Sequence, residues 1–163
     1  MDLQQPIDGM RWQSQEQMHL TLKFVGEAAK TAARELREEL DKIDHPCFSM
    51  TIAGIGYFPK GKQPKVVWAG ITQNAALQEL HQKVENLCEK IGVAPEARPY
   101  KPHITIGRTK STSKRAVTSF INKHKNFAIS DIAVDEFVLY ESKLHSDGAR
   151  HHRLQSYSLK SDG

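Results

Sequence analysis

Long apolar runs are missing from this 163-residue chain: no stretch approaches the ~20 consecutive apolar residues that a membrane-crossing helix needs. Cysteine is scarce. Cys47 and Cys88 form neither a Cys-x-x-Cys motif nor a disulfide framework, and each lies in an apolar-patterned segment. Buried free thiols and a reducing, cytoplasmic setting are therefore expected. The start, Met1-Asp2-Leu3-Gln4-Gln5-Pro6, has no basic region leading into an apolar core, so no secretory leader is expected. There is no Gly-x-Ser-x-Gly elbow and no phosphate-binding glycine loop, and neither short repeats nor low-complexity tracts occur.

What is present describes a folded protein. Hydrophobic residues at 39% alongside 26% charged ones exclude a disordered chain and predict one domain over residues 1–163. The net charge of +4 favours an anionic partner and salt-sensitive binding. Nothing in the pattern implies a protein partner.

One pattern occurs twice. His19-Leu20-Thr21-Leu22-Lys23 is echoed by His103-Ile104-Thr105-Ile106 within Lys101-Pro102-His103-Ile104-Thr105-Ile106-Gly107-Arg108. On an extended strand, residues two apart share a face, so each copy combines an apolar back with an imidazole and a hydroxyl in front. A single His-x-Thr in a chain with eight histidines is ordinary surface decoration. Two aliphatic-backed copies form a more specific signal, and two such fronts across a groove would flank a bound phosphate with titratable groups. Lys23 shares the face of His19 by parity, with a solvated lysine as the default reading. Strict alternation puts Arg108 opposite His103 and Thr105; a twist or bulge near Gly107 would bring it round.

The surrounding pattern is α+β, in the order βαββαβαββ. Residues 1–17 read as irregular, with Trp12 packing onto the domain, and a strand is expected over about 18–25. Thr31 is expected to cap a helix to about Asp41 carrying Leu36, Leu40 and Ile43. Strands follow near Phe48–Ala53 and Val66–Ile71, separated by an expected loop from Tyr57 to Lys65. That loop pairs aromatics with lysines and could stack a base, although a hairpin with inward-tucked aromatics is favoured. Asn74 should cap a helix through Leu77, Leu80, Val84, Leu87 and Ile91, stopped by Gly92, with His81 on its surface. Pro95, Pro99 and Pro102 make a stiff, extended approach to His103. Ser113 should cap a short helix, and strands are expected near Ala133–Glu141 and His151–Leu159, joined by a turn at Ser146-Asp147-Gly148.

Together these segments resemble the two-histidine (2H) phosphoesterases, in the RNA 2′,3′-cyclic phosphodiesterase or 2′–5′ RNA ligase (LigT/ThpR-like) branch. The resemblance rests on residues 18–26, Gly56-Tyr57-Phe58-Pro59, Val66 to Gly70, residues 101–108, and Glu141 to Leu144 followed by Gly148, all in the family's order. It implies a two-lobed fold with antiparallel sheets flanking a central groove and helices outside. The chain begins eighteen residues ahead of His19, so the family's opening strand and helix are expected to be lacking.

Opening a 2′,3′-cyclic phosphate takes a base to activate water and an acid for the departing ribose oxygen, and histidine serves both near neutrality. The resemblance implies that His19 is the proton donor, that His103 is the proton acceptor, and that the product is a 2′-phosphomonoester. Thr21, Thr105 and Arg108 are then substrate-binding residues. This chemistry needs no cofactor or metal, and His45, His81, His124, His145, His151 and His152 show no ligand spacing. The expected substrates are RNA ends or small cyclic phosphates, with no membrane involved. The alternatives are 2′–5′ RNA ligase activity, a small cyclic-nucleotide phosphodiesterase, or a non-catalytic RNA- or nucleotide-binding module.

Overall fold

The computed structural model describes residues 3–27, 30–146 and 148–161. Its elements are β1 (Met10–Trp12), α1 (Lys30–Leu40), β2 (Phe48–Lys60), β3 (Gln63–Ile71), α2 (Ala75–Lys90), β4 (His103–Thr109), α3 (Lys114–Lys123), β5 (Ala128–Val134), β6 (Glu136–His145) and β7 (Gly148–Ser158). The fold is α+β. The chain forms two compact units: Met1–Leu20, Thr51–Thr72 and Pro102–Ser130 make the first, and Thr21–Met50, Gln73–Lys101 and Asp131–Gly163 the second.

The first unit is organised by a five-stranded sheet in the order β1-β4-β3-β2-β5, in which β4 pairs antiparallel with β1 and β3, and β3 with β2. Alternation sends Ile55, Val67, Ala69, Ile104 and Ile106 to one face, where α3 covers them with Val117 and Phe120. Trp12 joins this core, its ring centroid 5.3 Å from that of Phe120. Each large side chain fully buried there contributes about 1.5–3 kcal/mol. Ser113 caps α3 by accepting from the Ala116 amide at 3.1 Å.

The second unit packs α1 and α2 with the β6–β7 hairpin around Leu36, Leu40, Leu80, Val84, Cys88, Phe137, Tyr157 and Leu159. Asn74 caps α2 through the Leu77 amide at 3.0 Å, and Gly92, at φ +89°, follows its C-cap. Cys88 is buried and Cys47 half-buried, both as free thiols. No helix among the described residues is long and apolar enough to cross a membrane.

Several expectations are corrected. The strand at 10–12 falls in a segment expected to be irregular, since three residues are too few to display an alternation. The expected loop from Tyr57 to Lys65 is instead the body of a hairpin that turns at Gly61 and Lys62, with Lys60 opposite Gln63. Gly61, at φ +63°, supplies the left-handed backbone this two-residue turn requires. The helix α1 starts at Lys30, so Thr31 lies inside its first turn rather than capping it. The strand expected at 133–141 is two strands, β5 and β6, and β7 begins at Gly148; Asp147 of the expected turn lies outside the described residues.

Candidate active site

The polar face of the first unit's sheet is built by register. His103 lies opposite Gly70, Thr105 opposite Trp68, Trp68 opposite Gly56, and Val66 opposite Phe58. Directly opposed residues share a face, so His103, Thr105, Trp68 and Phe58 all lie opposite the α3-covered core. Aromatic rings wall His103: Phe58 meets it edge-on at 4.9 Å, Trp68 lies 6.5 Å away, and the two rings are 5.4 Å apart. The Trp68 indole lies flat across Gly56, where a Cβ would come within 2.4 Å of its ring carbons. Glycine at 56 therefore sets the position of the tryptophan, and the tryptophan helps set that of His103.

Arg108 reaches this face through an irregularity. Gly107 opposes Val67 but Thr105 opposes Trp68, so β4 carries one extra residue at Ile106. This β-bulge resets the alternation. Arg108 then opposes Val66, which shares a face with Trp68 and Gly70, and so with Thr105 and His103.

The first motif meets the second as a neighbour. Leu20 forms an antiparallel bridge with Ile104, and the Gln13 amide donates to the Ile106 carbonyl at 2.9 Å. A regular antiparallel ladder continued one residue from this bridge would set His19 opposite Thr105 and diagonal to His103, about 7–8 Å away at the backbone. The Nδ1 of His19 lies 2.8 Å from the Gln17 carbonyl. A carbonyl only accepts, so Nδ1 is the donor in this contact.

Beyond Leu20 the expected strand over 18–25 does not form: Leu20 makes a single bridge, and Leu22 lies at a bend. Side chains of the second unit take the place of a partner strand, satisfying the backbone acceptors. The Tyr100 hydroxyl donates to the Thr21 carbonyl at 2.8 Å, and His81 Nδ1–H to the Leu22 carbonyl at 2.8 Å. The two rings stack at 3.8 Å with 5° between their planes. Burial pushes the Tyr100 phenol far up, which keeps it a donor at any ordinary pH. His81 is thus half-buried and structural rather than a surface residue. Lys23 is not solvated either: its ammonium contacts Glu85 at 2.7 Å and the Ala94 carbonyl at 3.1 Å, with side-chain exposures of 3% for Lys23 and 9% for Glu85.

Of the residues singled out from sequence, His103, Thr105 and Arg108 share one face in the first unit, and His19 immediately precedes the residue that bridges to their strand. Thr21, the first residue of the second unit, follows the bridge directly. Phe58 and Trp68 were not connected to the histidines by any sequence signal; only the hairpin register shows it. A surface hollow of about 540 Å³ runs along Lys114, Arg115, Thr118, Ser119 and Asn122 of α3, on the far side of the sheet from His103.

Residues 4–145 match the 2′-5′ RNA ligase superfamily, and the chain belongs to that family. Its particular relatives narrow the likeness. It is 34% identical over 142 residues to an RNA 2′,3′-cyclic phosphodiesterase of Thermotoga maritima, covering 86% of this chain and 74% of that one. It is 28% identical over 156 residues to the enzyme of the same name from Aeropyrum pernix, covering 94% and 89%. Among solved structures, E. coli LigT complexed with 3′-AMP aligns with a TM-score of 0.73 at 26% identity, covering 95% of this chain and 84% of that one.

Proposed function

We propose that the chain acts, as one catalytic domain, as an RNA 2′,3′-cyclic phosphodiesterase using two histidines and no metal. The single observation that carries this reading is the Leu20–Ile104 bridge, which joins the two His-x-Thr segments at the residue that follows each histidine. His103 accepts a proton from water as the water oxygen bonds to phosphorus. The bond from phosphorus to the ribose 3′ oxygen breaks, and His19 delivers its Nε2 proton to that oxygen. The product is a 2′-phosphomonoester with a free 3′ hydroxyl. Thr21 and Thr105 donate hydrogen bonds to the non-bridging oxygens, whose charge grows in the transition state, and Arg108 adds positive charge on the same face. The free thiols of Cys47 and Cys88 support a cytoplasmic setting.

The test is turnover, with EDTA present, of 2′,3′-cyclic AMP and of an oligonucleotide ending in a cyclic phosphate. The expected result is a 2′-phosphate product and a loss of at least ~100-fold in His19→Ala and in His103→Ala. A folded parent that binds these ligands without turning them over would replace the enzyme reading with that of a binding module.

A further inference from the structure

The charge of this chain is unevenly placed. From Ala97 to Ser130 it holds eight of the 23 lysines and arginines and none of the 19 acidic residues. The rest of the chain has 15 basic residues against 19 acidic ones, so the net charge of +4 belongs entirely to this tract. Lys114, Arg115, Lys123 and Lys125 of the tract lie on α3 or just past its end, and all four are exposed.

The helix α3 turns Val117 and Phe120 to the sheet, so its other side looks away from His103. Lys114, Arg115, Thr118, Ser119 and Asn122 recur on that side at helical spacing and line the hollow of about 540 Å³. At about 1.5 Å of rise per residue the row is about 12 Å long. Local energetics do not account for it. Lysine and arginine in a first turn oppose the helix dipole. The helix contains no acidic residue, so no partner three or four positions along offsets them. Departures from local rules of this kind mark functional surfaces.

The composition of the row selects its occupant. A helix that lies on a lipid surface or docks on a protein uses apolar or aromatic anchors, and this row has none. Two cations followed by two hydroxyls and an amide are instead the donors that meet phosphate and sugar oxygens along a nucleic-acid backbone. We propose that the outer face of α3 is a second, non-catalytic site, which holds the phosphodiester backbone of a polynucleotide without reading its bases. It lies apart from the histidines and does not depend on what they act on.

The experiment measures binding of a long single-stranded RNA of mixed sequence across a salt series, with turnover of 2′,3′-cyclic AMP and thermal melting alongside. It compares the parent with the double variant Lys114→Gln, Arg115→Gln and with the control Lys42→Gln, Lys90→Gln, which removes the same charge from the second unit. The α3 variant should lose at least ~10-fold in RNA affinity and lower the salt slope by about two. Its turnover of cyclic AMP should stay within ~2-fold of the parent, and its melting temperature should hold or rise because the dipole is no longer opposed. The control should bind RNA within ~2-fold of the parent, and RNAs of different sequence should bind the parent alike. Equal weakening by both variants, or unchanged affinity in the α3 variant, would overturn the proposal. So would tighter binding of this face to vesicles of anionic lipid or to an acidic peptide than to RNA. A parent that turns over no cyclic phosphate yet loses RNA binding with Lys114 and Arg115 would keep this site and sink the hydrolase reading alone.

Discussion

The two His-x-Thr segments are nearly identical in sequence and are held by different physics. His103-Ile104-Thr105-Ile106 lies in a central strand, with β3 along one edge and β1 and Leu20 along the other. Its support is a ladder, a bulge and aromatic packing. His19-Leu20-Thr21-Leu22 has one bridge; beyond it the Thr21 and Leu22 carbonyls accept from a tyrosine and a histidine, and Lys23, next in the chain, is held by its buried pair with Glu85. A ladder spreads the burden over many equivalent bonds; clamps concentrate it in a few side chains. The first segment is therefore the one that single substitutions should loosen most readily.

The largest effect should come from Glu85→Ala, which strands the Lys23 ammonium in a site where it is 3% exposed. Leaving one buried partner uncompensated costs about 3–5 kcal/mol, readable by chemical denaturation. The double variant Lys23→Met with Glu85→Leu should recover most of that loss. A single-variant cost below ~1 kcal/mol would mean that the pair behaves as a surface one. Gly56→Ala strikes the second segment through its packing. The new methyl overlaps the Trp68 indole, so a cost of about 1–3 kcal/mol is expected, with a kcat decrease of about tenfold as His103 shifts. Unchanged kcat would separate the tryptophan from the histidine's placement. Tyr100→Phe should have the smallest effect, about 0.5–1.5 kcal/mol, because the stack on His81 survives and only the bond to the Thr21 carbonyl is lost. A much larger loss would show that this one clamp holds the segment alone.

Sequence reading succeeded where local rules and tertiary structure agree. Asn74 and Ser113 cap the helices they precede, and His103 to Ile106 alternate as a strand with one buried side. It failed where the determining contact is distant. The alternation at His19 to Leu22 is genuine, but alternation describes side-chain direction and says nothing of whether a neighbouring strand is available. Pro59 and Pro64 suggested a loop; they oppose each other beside a register shift, a position where a strand pair tolerates missing donors. Arg108 depends on one extra residue in β4, which becomes visible only when β3 is laid beside it. The aromatic surroundings of His103 come from strands more than thirty positions away.

The route of the chain between its two cores has a consequence for inheritance. It passes from one to the other five times, after Leu20, Met50, Thr72, Lys101 and Ser130. A break anywhere between Thr21 and Ser130 leaves both fragments holding pieces of both cores. Neither unit can be gained, lost or exchanged by a single recombination event, and an internal frameshift disables the two together. The histidines thus travel through evolution with everything that positions them.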